Sequence, residues 1–591
     1  MSALQRRQAG ALIAALAGLI AIAGLLFLKW TSMSAAFLII PVIGILWAIR
    51  EFFRLRVRAL QMAHLCTFYE QGLDRLRGTW QGKGNGGMDF ARPHHLFQDD
   101  LAILGDGSLF ELLCTTRSQA GADRLASYLL DAPTLQESRA RQEAVRELKG
   151  ATELREQIAS LGKYQFQRCD GIYLRQWFCL PMIEAGRGVA LFLLASSSIC
   201  FVSGLLCVAQ FLHWGTVLPW LLPFLLTQAV IGLAFLRKVR PQLKDLFPLA
   251  NELVVLRQGL ALMQERQFAS PKLRLLVESV ASRNAALQIG KIERLARAVE
   301  HRGKDFFYVP CLLLAVGTQL ALAIDVWRRK NREDFLRWLD AWAEFDALNA
   351  LACYAYEHPR DVFPELLEGA ARLEATSLGH PLLEASTCRG NDVALNNEMR
   401  FYLISGSNMA GKSTFLRTIG INAVLAAAGA PVRARCASMS VFRVCASLSI
   451  ADSLAEGKSK FLAEVERLRE TIRAMEEDGP VLFLMDEILA GTNSQDRRIA
   501  AGAVLQTLIR GGAVGALSTH DLALTEIAES PQMRGANVHM QGEDPDAPLV
   551  FDYRVKPGIL RQTNALAIVR MIGIEIDHDG PGAVSGGSNI S

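Results

Sequence analysis

Lys412 and Ser413 complete the stretch Gly406-Ser407-Asn408-Met409-Ala410-Gly411-Lys412-Ser413, and Thr414 follows it. Glycine at both ends of the loop lets the backbone fold back so that its N–H groups converge. Converging N–H groups, an ammonium and a hydroxyl at a helix start suit a polyphosphate. In such a loop the ammonium of Lys412 meets the β- and γ-phosphates and the hydroxyl of Ser413 ligates Mg²⁺, so ATP with Mg²⁺ is the expected ligand pair. Candidate contacts run from Gly406 to Thr414. Asp486 and Glu487 end the apolar run "VLFLM". Asp486 is placed to hold Mg²⁺ through water, and Glu487 to orient or deprotonate an attacking water. A second apolar run, "GAVGALSTH", ends at Thr519 and His520. His520 is placed to sense the γ-phosphate or to position water beside Glu487. Ser459 precedes an amphipathic run from Lys460; its hydroxyl caps that helix, and the capped end is a second anion site. Each has an ordinary counterpart: acids at a strand end are solvated, a lone histidine is structural, and a serine merely caps. Their order behind the glycine loop favours chemistry, and Lys412, Glu487 and His520 are the expected catalytic residues.

These residues need a sheet. "RFYLI" reads as a strand before the loop and "STFLRTIGINAVLAAAG" as the helix after it. From about residue 399 short apolar strands alternate with helices, the order of an α/β nucleotide domain. Upstream, 108–161 and 241–300 carry helical periodicity with mixed charge. "GTWQGKGNGG" (78–87) reads as a flexible linker, and 577–591 as a disordered Gly/Ser-rich tail. The fold class is therefore α and α/β.

Half of the 591 residues are hydrophobic (51%), mean hydropathy is +0.20 and 21% are charged, which suits membrane segments joined to soluble domains. Net charge of +4 does not by itself indicate nucleic acid. Eleven cysteines lie scattered without CxxC or zinc-type spacing, reading as small buried hydrophobes in a reducing compartment. Residues 9–28 and 31–49 are uncharged but for the Lys29 break and form an expected transmembrane hairpin; 188–236 form a second, turning at His213–Gly215. Arg6, Arg7, Arg50, Arg54, Arg56 and Arg58 flank the first, and Arg187, Arg237, Lys238 and Arg240 the second. By the positive-inside bias both flanks, both termini and the glycine loop face the cytoplasm, in a multi-pass inner-membrane protein. The apolar run 306–324 is long enough to span, but a fifth span would put the loop on the side without ATP. It is expected as a buried core helix.

"SGSNMAGKSTFLR", "DSLAEGKSKFLAEV", "LFLMDEILAGTNSQD" and "LSTH", in this order, resemble the ATPase domain of the MutS family. "GSLFELLCTTRSQAGADRLASYLLDAP" and "RQEAVREL" are similar to the start of its core domain. "LGHPLLE" (378–384) resembles the segment that enters the ATPase domain and borders the adenine, and "NALAIVRMIGI" (564–574) its closing helix. The resemblance implies hydrolysis of ATP to ADP and phosphate in a homodimer of ABC-like P-loop domains. Ser459 of one subunit would approach ATP held by the other, with Gly491, Thr492 and Ser494 at the interface. It implies a clamp of helical levers that holds DNA, in mismatch repair or a related process. The expected layout is hairpin 1 (1–58), exit helix and linker (59–95), MutS-like core (96–187), hairpin 2 (188–236), core and lever (237–370), ATPase domain (371–576) and tail (577–591). There is no room before the core for a mismatch-reading domain, and "FYE" (68–70) is a chance likeness to its wedge. Besides DNA and the bilayer, a protein partner of unknown identity is expected. Two other readings stand: an ABC-like ATPase driving transport, and a nucleotide-switched membrane tether without nucleic acid.

Overall fold

The structure, a computed structural model, describes residues 10, 13–14, 17–18, 35–162, 177–178, 180–183, 185–209, 211–243, 246–281, 284–302, 311, 313–406, 410–448, 460–489, 493–544 and 547–560. The chain forms two compact units. One comprises 1–74, 115–124 and 151–349; the other 75–114, 125–150 and 350–591.

The first unit is helical. The helix Ala35–Leu76 begins in the second expected span and continues unbroken through the basic stretch after it. Most of the first expected span, 9–28, lies outside the described residues. Helices Arg187–Val208 and Trp214–Leu243 pair as a hairpin. Both are long and apolar enough to cross a membrane by length and composition. The turn falls earlier than expected: Trp214 and Gly215 already open the second helix, where Thr216 N–H donates to the His213 carbonyl at 3.2 Å. The hairpin's outward side chains are bare, with Trp220 79%, Phe201 68% and Leu233 68% exposed. In the run 306–324 the helix starts at Val316 and extends to Lys330, burying Ala321, Leu322 and Ile324.

Further along this unit, Leu253, Leu260, Ile289, Ile292, Phe335, Trp338 and Trp342 make the core. One polar cluster lies within it. Asp346 accepts from the backbone N–H of Arg117 (3.1 Å) and Ser118 (3.0 Å) and from the Ser118 hydroxyl (2.8 Å), which also accepts from Trp342 Nε1 at 3.0 Å. Burial pushes the Asp346 carboxyl up to about 6 and the neighbouring Glu252 up to about 8. The cluster ties 115–124 to the helix Arg332–Glu357.

The second unit is α/β. Its strands are β1 (Glu365–Leu367), β2 (Leu373–Leu378), β3 (Asn391–Leu395), β4 (Phe401–Gly406), β5 (Cys436–Ser440), β6 (Arg443–Ser447), β7 (Val481–Asp486), β8 (Val514–Thr519), β9 (Gly535–Met540), β10 (Gly542–Asp544), β11 (Ala547–Phe551) and β12 (Lys556–Pro557). The main sheet runs β12-β9-β4-β8-β7-β6, parallel except for β12. A smaller sheet, β1-β5-β2-β3, adjoins it in this unit. Strands β4, β7 and β8 are buried almost along their whole length, which is why their sequences are continuous apolar runs rather than alternating ones. The helix Lys412–Ala428 is buried nearly all round, and at Gly420 an added Cβ would lie 2.7 Å from both Leu101 and Leu484.

Two expectations change here. The glycine-rich stretch 78–87 is not a free linker: the Glu111 carboxylate accepts from the N–H groups of Gly82 (3.1 Å), Gly84 (2.7 Å) and Gly107 (2.7 Å). Glu111 is itself buried, so these charge-assisted bonds, each worth roughly 1.5–3 kcal/mol, hold the loop in place. Gly87, at φ +73°, packs flat on Phe110, whose ring would lie 2.5 Å from an added Cβ. In addition, 75–114 and 125–150 belong with the α/β unit rather than with the helical one. The Asp100 carboxylate accepts from Leu448 N–H at 2.8 Å and its carbonyl from Arg417 Nε at 2.9 Å; Ala446 N–H donates to the Leu96 carbonyl at 3.0 Å. These residues extend the β6 edge of the sheet.

Candidate functional site

Strand order places the chemistry. Strand β8 lies between β4 and β7, and the parallel register pairs Ser405 with Thr519 and Ser518 with Asp486. Residues at the carboxyl ends of these three strands therefore meet: Gly406 closing β4, Glu487 after β7 and His520 after β8. Gly406 has φ +145°, and an added Cβ would stand 2.5 Å from the Met540 carbonyl oxygen. Gly411 has φ +95°, with the Tyr553 ring 3.0 Å from an added Cβ. Only glycine fits at either end, for conformational and steric reasons together. Ala410 is buried, Thr414 exposed and Ser407, Asn408 and Met409 lie outside the described residues.

Lys412 is the first residue of its helix and 1% exposed, an unusual place for an ammonium. Its Nζ donates to the Gly406 carbonyl at 2.6 Å and lies 2.8 Å from His520 Nε2. Burial lowers its pKa to about 8, with Asp486 and Glu487 pulling the other way. The same His520 nitrogen is 2.9 Å from Glu487 Oε1. Burial, and then the Lys412 charge, depress the His520 pKa, so the ring is neutral near pH 7. A neutral imidazole serves one of these partners at a time through Nε2: it accepts from the ammonium or donates to the carboxylate.

The Ser413 hydroxyl donates to one oxygen of Asp486 and the Ser518 hydroxyl to the other. Ser518 was not expected from sequence; the usable signal was its place two residues before His520 on a strand parallel to β7. Glu487 and Leu489, neither a glycine, both have positive φ, +51° and +55°. Backbone held there costs roughly 1–3 kcal/mol and is retained where surrounding contacts over-determine it. Here the Glu487 N–H donates to the Ser518 carbonyl at 3.1 Å, and the Leu489 N–H donates to Glu464. Glu464 lies on the helix Lys460–Arg473, which starts directly after Ser459. Ser459, Gly491 and Thr492 lie outside the described residues; Ser494 opens the helix Ser494–Arg510, capped by Asn493, whose side chain accepts from Asp496 N–H at 2.8 Å.

The segment 378–384 is held by side chains. Asn422 Nδ2 donates to the Gly379 carbonyl at 2.9 Å, and Arg433 Nη1 to the His380 carbonyl at 2.8 Å. Burial, followed by the charges of Arg417 and Arg433, lowers the His380 pKa to about 4.

The donor set fits ATP with Mg²⁺. Two glycines hold the ends of the loop in conformations that a side chain would block, a buried ammonium donates to the carbonyl of the first, and the Ser413 hydroxyl and Asp486 carboxylate lie close by. Among the described residues no group of three or more His, Cys, Asp or Glu forms a metal cage. The Ser413 hydroxyl and the Asp486 carboxylate suit a cation that brings phosphate oxygens and water as its remaining ligands. Ser518→Ala removes a hydroxyl that orients Asp486; the Mg²⁺ concentration for half-maximal ATP turnover is expected to rise roughly tenfold, as for other groups that orient a metal ligand. A magnesium titration matching the parent protein's would remove Ser518 from the site.

A family model described as MutS domain V matches residues 402–577. The DNA mismatch repair protein MutS of Thermotoga petrophila is 31% identical over 252 residues, 42% of this chain and 31% of that protein. The protein of the same name from Thermus thermophilus is 30% identical over 280 residues, 47% of this chain and 33% of that protein. That of Lactobacillus delbrueckii subsp. bulgaricus is 32% identical over 201 residues, covering 33% and 23%. The chain thus spans about a third of the length of the first of these relatives.

Proposed function

This chain belongs to the MutS family through its C-terminal domain, and from that premise we propose that it is a membrane-anchored ATPase that works as a homodimer and holds DNA. The observation that carries the reading is the constellation of Lys412, His520 and Glu487 beside Ser413 and Asp486. Gly406 to Thr414 would hold the phosphates, and Ser413 and Asp486 the Mg²⁺. When bound, Mg²⁺ neutralises charge on the β- and γ-phosphate oxygens. Lys412 turns from the Gly406 carbonyl to the phosphates. That frees His520 Nε2 to donate to Glu487, which orients a water and takes its proton. Ser459 of the partner subunit completes the site, so nucleotide state is linked to dimer geometry and from there to the helices upstream.

The anchor is the hairpin of Arg187–Val208 and Trp214–Leu243, together with the N-terminal apolar spans. Bare leucine, phenylalanine and tryptophan on the hairpin and basic residues at its open end favour a bilayer with the ATPase domain on the cytoplasmic side. DNA comes from the relatives, each named as a mismatch repair protein. The family model matches 402–577, the nucleotide domain, so the reading commits to duplex DNA, branched or plain, rather than to a mismatch.

A gel-shift panel of duplex, mismatched and branched DNA, run with full-length protein in detergent at physiological salt, tests the reading. A shift that changes between ATP and ADP is expected. Binding that is equal in both nucleotides, or that vanishes above low salt, leaves only non-specific charge attraction and overturns the DNA assignment.

Nucleotide binding should also depend on pH. Phosphate oxygens favour the ammonium form of Lys412, so binding raises a pKa that stands at about 8 in the free chain. ATP affinity is then level below about pH 7 and falls by up to about tenfold per unit above pH 8, with proton uptake on binding. Calorimetry in buffers of different ionisation enthalpy measures that uptake; affinity that rises with pH contradicts it.

A further inference from the structure

The apolar run 306–324 posed a problem of parity: as a fifth span it would carry the ATP loop to the wrong side. Contacts within the helical unit offer another solution. We propose that residues 313–324 form a re-entrant element that dips into the bilayer beside the 188–236 hairpin and returns to the side it came from, with lipid acyl chains as its partner. This rests on the membrane-anchored reading above.

Depth is set by Ser197. It lies ten residues after Arg187 and eleven before Val208, so about 15 Å from either end of that helix. Gln319 Nε2 donates to Ser197 Oγ at 2.7 Å, and Ser197 Oγ is 3.3 Å from the Leu314 carbonyl. An added Cβ on Gly232 of the second hairpin helix would touch Ala315 Cβ at 3.5 Å. Residues 314–319 are thus placed well inside the hairpin rather than at its open end.

Direction is set by the charged end. The helix Val316–Lys330 finishes in Arg328, Arg329 and Lys330. Arg329 Nη2 donates to the Ile183 carbonyl at 3.1 Å, and Arg328 Nη2 to the carbonyls of Phe178 and Leu180 at 2.6 Å each. Those acceptors precede Arg187, at the basic end of the hairpin. From Val316 to Asp325, which accepts from the Ile183 N–H, the helix rises about 14 Å, close to the depth of Ser197. The element therefore leaves the lipid on the side where Arg187 and Arg237 lie; Trp327 Nε1 donates to the Gln288 carbonyl at 3.1 Å, so the preceding helix Ala285–Arg302 starts at that same end and topology is unchanged.

Chemistry supplies the reason. Ser196, Ser197 and Gln228 put polar atoms in the middle of the hairpin, where hydrocarbon offers no partner. Gln228 Nε2 donates to Ser196 Oγ at 2.6 Å and Gln319 supplies a donor to Ser197; Gln228 is 0% and Ser196 2% exposed. Side-chain amides and hydroxyls bonded across helices are how membrane segments associate. Leu313 on the element and Val230, Leu233 and Leu236 on the hairpin are all exposed, apolar side chains available to lipid.

The test uses the native full-length chain in inverted vesicles. A phospholipid with a photoactivated diazirine in the distal half of its acyl chain is irradiated, and adducts are mapped by peptide mass spectrometry. In parallel, a membrane-impermeant maleimide is applied. Adducts are expected on 313–320 as well as on 230–236. Cys311, partly buried and three residues before Leu314, should react with maleimide at least tenfold more slowly than the exposed Cys66 and Cys436. Adducts on 230–236 without any on 313–320 overturn the re-entrant element and leave the anchor standing. No adducts on either overturn the anchor, and this proposal with it.

Discussion

Lys412→Ala is expected to lower ATP turnover by roughly 10²–10³-fold, the cost of removing one preorganised group that faces transition-state charge, and to weaken ATP binding as well. The ammonium is 1% exposed and donates to the Gly406 carbonyl at 2.6 Å, so it is held beside the phosphate site and has only to turn when nucleotide arrives. Once turned to the bound phosphates, a buried donor needs no further reorganisation when charge develops on them. The substitution has a structural cost too. It takes a donor from a buried carbonyl, worth roughly 1–3 kcal/mol, and leaves space where the lysine stem packed. Lys412→Met separates the two effects, since it keeps most of the stem and loses only the charge. Both variants should lose turnover alike, while Met should recover much of the thermal stability that Ala loses. Turnover within threefold of the parent in Lys412→Met, measured where both are folded, would falsify the cradle assignment.

Glu487→Gln separates binding from chemistry. Turnover should drop roughly 10²–10⁴-fold, as when a general base is lost, while ATP affinity stays within a few-fold. Gln is isosteric, so the left-handed backbone at φ +51° and the Glu487 N–H bond to the Ser518 carbonyl are undisturbed. Its amide oxygen still accepts from His520 Nε2, which lies 2.9 Å from the carboxylate now. What it cannot do is take a proton from water. ATP should therefore remain bound, and if the site is completed by a second subunit the variant should elute as a dimer in ATP and hold that state for many parent turnover times. Phosphate release at the parent rate would assign the proton to another group.

These two residues show what was legible beforehand. The glycine loop, the acids after "VLFLM" and the histidine after "GALST" were readable because each is a local pattern: a loop of fixed spacing, or an apolar strand followed by a polar group. Their convergence was also inferable, since parallel strands expose their carboxyl ends on one edge. Ser518 was not legible. A serine inside an apolar run looks like any small strand residue, and only the in-register pairing with Asp486 turns its hydroxyl onto the carboxylate. Glu111 was hidden for a similar reason. Glycine-rich composition reads as freedom, and nothing in 78–87 says that a carboxylate more than twenty residues later will bind its N–H groups.

By itself, then, the order of residues pointed to nucleotide chemistry and carried the α/β character of the last third and the presence of long apolar helices, because spacing, burial periodicity and hydrophobic length are properties of contiguous chain. Tertiary structure decided which partner each polar group found: Lys412 shared between Gly406 and His520, Asp486 held by two serines, Gln319 seated against Ser197. Those choices depend on strand order and helix register, which bring together residues up to more than a hundred positions apart. A hydrogen bond is decided within a few tenths of an ångström, and no local pattern carries that information.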